Sequence, residues 1–190
     1  MFSSKIVELQ RNDRRWVQAI VSEGLTPRVL KQFQEVWQPK LQQLKAPDSH
    51  WDWPGLWRAY RKKKSRFLSL VCENELQGLA WLDYSGISSR SDSDQQIVYV
   101  QRISVAPWNR SEYGMRRFRP VGLLFIREAV ELSLEIGWRG RIGLHSLETA
   151  VNWYRSVLRM TAYGKDVEHE NLEYFEFSDE QAAAFLEPSP

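Results

Sequence analysis

Ile97–Gly137, IVYVQRISVAPWNRSEYGMRRFRPVGLLFIREAVELSLEIG, is the stretch whose reading decides the fold. Its first nine residues, Ile97–Val105, are rich in β-branched and aromatic side chains, with apolar residues on both faces, as expected of a central strand. Ala106–Arg119 is a loop carrying four arginines, Arg110, Arg116, Arg117 and Arg119. From Pro120 to Ile136, Val121, Leu124, Phe125, Ala129, Leu132 and Ile136 fall on one side at helical spacing. Arg127, Glu131 and Glu135 recur at i, i+4 on the other, and Gly137 ends the run. A strand feeding a helix through a loop dense in donors and arginines suits a phosphate-bearing ligand.

The surrounding chain supports one domain over residues 1–190. Its 190 residues are 43% hydrophobic and include nine Trp, enough for a large core. No window approaches the roughly 18 apolar residues of a membrane span. The start, MFSSKIVELQRNDRR, lacks the apolar centre of a signal peptide. Cys72 is the single cysteine, which excludes an internal disulfide and a cysteine-rich zinc site. A cytoplasmic protein with no membrane partner is expected. The net charge of +2 hides an asymmetry: residues 1–66 hold 14 Lys/Arg against 6 Asp/Glu, so the remainder is net acidic.

Taken in order, Lys5–Gln10 alternates as a first strand. Trp16, Val17, Ile20 and Val21 have helical spacing after a cap at Asn12 or Asp13, with Gly24 as the stop. Thr26-Pro27 opens a second helix whose stripe runs Val29, Leu30, Phe33, Val36, Trp37, Leu41 and Leu44, bent at Pro39. Pro54–Lys63 is a short helix. An extended helical and basic segment over about residues 12–64 is therefore expected. Arg66–Cys72 and Leu76–Tyr84 form a hairpin around Glu73-Asn74-Glu75. Ser85–Gln96 is a polar loop. Arg141–Leu144 is a strand, so a right-handed parallel crossover joins it to the Ile97–Val105 strand. Ser146 caps a helix striped by Ala150, Trp153, Tyr154, Val157 and Leu158. Strands Met160–Gly164 and Leu172–Phe177, the helical turn Asp179–Leu186 and a frayed Pro188–Pro190 finish the chain.

The aromatics of Trp51–Tyr60 precede Arg61-Lys62-Lys63-Lys64. Aromatics interleaved with cations can stack bases and contact phosphates. The same residues also read as core aromatics with solvated cations at a helix C-terminus, where the dipole favours them.

Three pieces in this order resemble the GNAT superfamily of N-acetyltransferases. ISVAPWNR (Ile103–Arg110) resembles the end of that family's fourth strand and the loop beyond it. RFRPVGLLFIREA (Arg117–Ala129) resembles its acetyl-CoA loop and helix, usually Gln/Arg-x-x-Gly-x-Gly/Ala. AVNWYRSVLRM (Ala150–Met160) resembles its later helix, commonly Ala-x-x-Phe-Tyr followed by Gly-Phe or Gly-Met. The resemblance covers the whole chain in topology and residues 100–154 in motif. It implies an α/β (α+β) fold: a mixed, mostly antiparallel central sheet of six to seven strands with a parallel, splayed central pair, flanked by helices.

It also implies chemistry. Acetyl-CoA would be the acyl donor, its pantetheine arm on the strand edge of Ile103, Ser104 and Val105. Its pyrophosphate would sit on Arg116, Arg117, Phe118, Arg119, Val121, Gly122 and Leu123. A primary amine would attack the thioester directly, without a covalent enzyme intermediate. Tyr154 matches the family's tyrosine acid; it equally belongs to its helix's apolar stripe. No metal is implied. The acceptor could be a small molecule, a peptide or an RNA-linked amine, and the protein a monomer or a homodimer.

The sequence departs from the family pattern at three points. Pro120 replaces the first glycine and removes one N–H that would face the pyrophosphate. Arg116, Arg117 and Arg119 can offset that loss by touching phosphate, or can be plain surface charge. The central strand has no carboxylate, leaving His145 as the substitute base, with Glu112 behind it; a buried structural histidine is the other reading of His145. Arg159 replaces the glycine after the tyrosine helix, where a left-handed cap is then less natural and the helix end is expected to lengthen by one residue. These departures also admit a second class of function, a GNAT-fold module that binds protein or nucleic acid without catalysis.

Overall fold

The computed structural model describes residues 3–114 and 116–187; Pro188–Pro190 lie outside that range. The strands are β1 (Ser4–Arg11), β2 (Trp16–Glu23), β3 (Ser65–Cys72), β4 (Glu75–Ser88), β5 (Gln96–Val105), β6 (Phe118–Arg119), β7 (Ile142–Ser146), β8 (Thr161–Asp166) and β9 (Leu172–Phe177). The helices are α1 (Pro27–Gln32), α2 (Gln38–Gln43), α3 (Trp53–Tyr60), α4 (Val121–Glu135) and α5 (Asp179–Leu186). Hydrogen bonding links the strands in the order β6-β1-β2-β3-β4-β5-β7-β9-β8. The fold is a mixed α/β sheet with flanking helices.

This sheet has nine strands, two more than the upper expectation. One of the additions is a correction. Trp16–Glu23 is a strand, paired antiparallel with β1 from Ser4↔Ser22 to Gln10↔Trp16 and with β3 from Ala19↔Cys72 to Glu23↔Leu68. Ala19 and Val21 point to the core while Trp16 and Ile20 are exposed. Two partners for a run of β-branched residues outweigh the helical spacing of four apolar side chains. The other addition is β6, two residues inside the arginine loop that pair with β1 at Gln10↔Arg119 and Arg11↔Phe118.

The chain divides into two compact units, Met1–Trp81 with Arg102–Phe125, and Leu82–Gln101 with Ile126–Pro190. In the first unit, Thr26 caps α1 by accepting the Val29 N–H (3.3 Å), and Asp52 caps α3 by accepting that of Gly55 (3.1 Å). Between α1 and α2, Phe33–Trp37 forms a π-helical turn in which the Gln38 N–H reaches back to Phe33 O. It lies just ahead of Pro39, which cannot donate a backbone hydrogen bond. Trp37 and Trp53 are fully buried, Phe67 stacks on Trp81 at 5.4 Å, and Trp57 meets Phe67 edge-on at 5.3 Å. Gly78 on β4 leaves room for α4: a Cβ there would lie 2.4 Å from Phe125 Cε2 and 2.8 Å from Val121 Cγ1.

In the second unit, β5 and β7 run parallel, and their pairing is confined to Val98↔Ile142 and Tyr99↔Gly143. That short ladder is the parallel, splayed pair expected from the sequence. β7 then pairs antiparallel with β9, and β9 with β8. Ser178 and Gln181 close a capping box at the start of α5. Among the described residues, no helix is long and apolar enough to cross a membrane.

Candidate functional site

The first unit holds the loop read as a donor site. β5 ends in a buried polar strut. Arg110 donates to Asp48 Oδ1 at 2.7 Å and Oδ2 at 2.6 Å, and Ser104 Oγ donates to the same carboxylate at 2.6 Å. Burial pushes the Asp48 carboxyl up, but Arg110 and Ser104 more than offset that and hold it below its ordinary value. Arg110 Nε also donates to Val105 O at 2.9 Å, so that carbonyl is already engaged. A second strut starts at Gln77, whose Oε1 accepts from Trp108 Nε1 (3.0 Å) and Asn109 Nδ2 (2.9 Å). Asn109 Oδ1 in turn accepts the Phe118 N–H at 2.8 Å. The loop is thus shaped by polar side chains from the segment between α2 and α3 and from β4.

The three arginines read as phosphate contacts separate. Arg117 pairs with Glu75, and with Glu73 at 3.4 Å. Arg119 lies on β6, its Nε donating to Gln10 Oε1 at 3.1 Å. Arg116 is exposed and donates to Ser111 Oγ at 2.8 Å, with no carboxylate partner among the described residues. Phe118 is buried and contributes packing. Pro120 stands just before α4, and the first bond into that helix runs from the Leu124 N–H to Pro120 O at 3.3 Å. The N–H groups of Val121, Gly122 and Leu123 therefore have no intrahelical acceptor, the usual condition of a first turn. Glu112 is exposed in a short 3-10 turn.

The second unit holds the residues read as acid and base. Tyr154 sits in the π-helical turn Trp153–Val157, its ring 5.8 Å from Phe175. Burial pushes its phenol well above the ordinary value, so it stays protonated. Arg159 corrects an expectation: it adopts the left-handed conformation itself, at φ 55°, while Gln181 Nε2 donates to its carbonyl at 2.8 Å. A neighbouring side chain satisfies the cap where a glycine was expected, and the helix is not lengthened through it.

The His145 side chain is 6% exposed and bonded at both ring nitrogens: Nδ1 lies 2.5 Å from Tyr99 Oη and Nε2 3.0 Å from Asp166 Oδ2. Burial lowers its pKa, opposed by Asp166. Asp166 is held well below the usual carboxylate range, chiefly by Arg90 and then by His145. His169 stacks on His145 at 4.0 Å between ring centroids. Next to this chain, the buried Glu176 accepts from Ser89 Oγ (2.6 Å), the Arg90 N–H (2.7 Å) and Tyr174 Oη (2.7 Å). Both earlier readings of His145 meet here. It is a bonded histidine with little exposed side chain, and its Nδ1 faces Tyr99, which stands on the central strand that lacks a carboxylate.

Sequence reasoning missed Asp48, Gln77, Asn109, Arg110, Asp166 and Glu176. Each is a polar residue whose partner is remote in the chain. The aromatics before Arg61–Lys64 resolve toward packing: Trp51 and Trp53 are buried, Arg102 lies over Trp51, Arg61 over Trp57 and Lys63 over Tyr60.

Neither protein-family models nor curated protein sequences give a match to this chain. Solved structures do. RimJ of Mycobacterium smegmatis, in complex with CoA-disulfide, is similar with a TM-score of 0.62 at 11% identity, over 97% of this chain and 93% of that one. The GNAT domain of S. lividans PAT gives 0.57 at 14% identity, over 90% and 96%. A spermidine N-acetyltransferase SpeG chimera from Vibrio cholerae and hSSAT gives 0.55 at 12% identity, over 88% and 99%. The chain has the fold of the GNAT superfamily of acetyltransferases.

Proposed function

We propose that this protein is an N-acetyltransferase that moves an acetyl group from acetyl-CoA directly to a primary amine. The observation that carries this reading is the start of α4: three first-turn N–H groups, of Val121, Gly122 and Leu123, without intrahelical acceptors at the end of an arginine loop, within a GNAT fold. Backbone donors and the positive end of a 15-residue helix favour a pyrophosphate. Pro120 contributes no N–H there. Of the arginines, Arg116 is the one this reading assigns to compensate, because Arg117 is paired with Glu75 and Arg119 is bonded to Gln10. The edge of Ile103, Ser104 and Val105 offers backbone groups, with the Val105 carbonyl supporting Arg110 and the Ser104 hydroxyl supporting Asp48.

The reading assigns donor binding to the first unit and proton handling to the second. An ammonium of pKa ~10.4 must lose a proton before attack. Tyr99, His145 and Asp166 form a hydrogen-bonded chain along which such a proton can pass, and the lowered pKa of His145 keeps it neutral at pH 7. Tyr154 is the proposed donor to the departing thiolate. Calorimetric titration with acetyl-CoA tests the reading: binding in the micromolar range supports it, and no heat at millimolar ligand removes it.

A further inference from the structure

His145, Asp166 and His169 bring three ligand atoms within 4.8 Å of one another, and no other group of three His, Cys, Asp or Glu side chains among the described residues does so. They come from three places, β7, the end of β8 and the 3-10 turn Val167–His169. We propose that they form a site for one divalent transition-metal ion of the zinc class, with Arg90 occupying the cation's place until the ion arrives.

The spacing favours an ion. Asp166 Oδ2 lies 3.0 Å from His145 Nε2 and 3.1 Å from His169 Nδ1. Ligands about 2.0–2.2 Å from a tetrahedral zinc are separated by roughly 3.4 Å, so both carboxylate–imidazole separations lie within about 0.4 Å of what an ion needs. The donor set, two imidazoles and one carboxylate, suits Zn²⁺ and leaves a fourth position for water or another ligand. The supporting contacts are also present. Asp166 Oδ1 accepts the Glu168 N–H at 3.0 Å, which orients the carboxylate and leaves Oδ2 for the ion. His145 Nδ1 faces Tyr99 Oη, the second hydrogen bond that selects the tautomer of a metal-ligating histidine.

Two features oppose binding, and both can yield. The guanidinium of Arg90 holds Asp166 Oδ2 and lies 4.1 Å over the Tyr174 ring. It is 39% exposed and can swing to solvent as one cation replaces another. The two imidazoles stack with planes 11° apart, whereas an ion must lie near the plane of each ring. His169 must therefore turn, and its side chain is 50% exposed on a single turn. Capture of His145 Nε2 by an ion would replace its hydrogen bond to Asp166 and leave Nδ1 bonded to Tyr99.

Binding is read by titrating the full chain with Zn²⁺ in calorimetry, and Co²⁺ in visible absorption, with no acyl donor present. A 1:1 heat and the d–d bands of tetrahedral Co²⁺ are expected. His169→Ala removes one of three protein ligands and should weaken binding by more than about 10-fold, the smallest loss usual even for a group that only orients a ligand. Arg90→Gln, which removes the competing cation, should tighten it. Both residues are half-exposed, so these variants are expected to fold, and circular dichroism checks that. No heat at about 1 mM Zn²⁺, unchanged affinity in His169→Ala, or weaker affinity in Arg90→Gln each overturns the proposal. None of these outcomes depends on whether the protein binds acetyl-CoA.

Discussion

Arg110 grips Asp48 through both terminal guanidinium nitrogens, at 2.7 and 2.6 Å, although the two residues are 62 positions apart and Asp48 is 2% exposed. The pair ties the end of β5 to the segment before α3. Removing one partner of a buried pair leaves an uncompensated charge and typically costs about 3–5 kcal/mol. Asp48→Ala is expected to fall in that range in urea denaturation. The pair also sets an acid sensitivity. Because the folded-state pKa of Asp48 is depressed, its contribution is complete above the unfolded value of about 3.9 and is lost as pH falls through the folded value. Asp48→Asn should flatten the stability profile in that acid window; an unchanged profile would show that the pair contributes nothing.

Gly78→Ala tests the seat of α4. The new methyl would meet Phe125 at 2.4 Å and Val121 at 2.8 Å, and both belong to the helix whose start is assigned to the pyrophosphate. Overpacking of this kind costs about 1–3 kcal/mol. A drop in melting temperature together with a weaker acetyl-CoA affinity is expected. Loss of stability with unaltered affinity would separate the helix seat from donor binding.

The arginines make a paired prediction. Arg116→Ala should raise the KM for acetyl-CoA roughly 10- to 150-fold, the equivalent of one charged hydrogen bond of about 1.5–3 kcal/mol. Arg117→Ala removes a half-exposed pair with Glu75 and Glu73, and should change stability by no more than about 1 kcal/mol and KM little. Equal effects on KM would refute the division between them.

Tyr154→Phe removes an acid while keeping the ring against Phe175. The variant should fold normally and lose on the order of 10²–10⁴ in kcat, the usual contribution of a positioned proton donor. Full turnover would return Tyr154 to a packing role.

The His145 chain predicts a pH dependence with a definite sign. Its folded pKa lies below the unfolded value of about 6.5, so folding favours the neutral ring. Its contribution to stability is present above pH ~6.5 and declines as pH falls toward the folded value. Activity should show an acid limb in the same region. Tyr99→Phe breaks the link at Nδ1 and should lower kcat without restoring activity in acid. A pH profile identical to wild type in Tyr99→Phe would remove the relay.

Local patterning by itself determined the central part of this protein. The apolar run Ile97–Val105, the one-sided stripe from Val121 to Ile136 and the stop at Gly137 (φ 82°) are properties of neighbouring residues, so β5 and α4 were legible, as was the hairpin of β3 and β4. Tertiary structure decided the rest. Trp16–Val21 carries a spacing that serves a helix, and only the offer of two sheet partners made it β2. Arg116, Arg117 and Arg119 were indistinguishable as loop charge until Glu75 claimed one and Gln10 another. The polar groups that shape the candidate sites find partners far away in sequence: Asp48 with Arg110, Glu176 with Ser89, His145 with Asp166. Periodicity records which face of an element is buried, because burial repeats with the element's own geometry. It carries no record of which distant polar group waits on that face, since one hydrogen bond between two remote residues leaves no repeating trace.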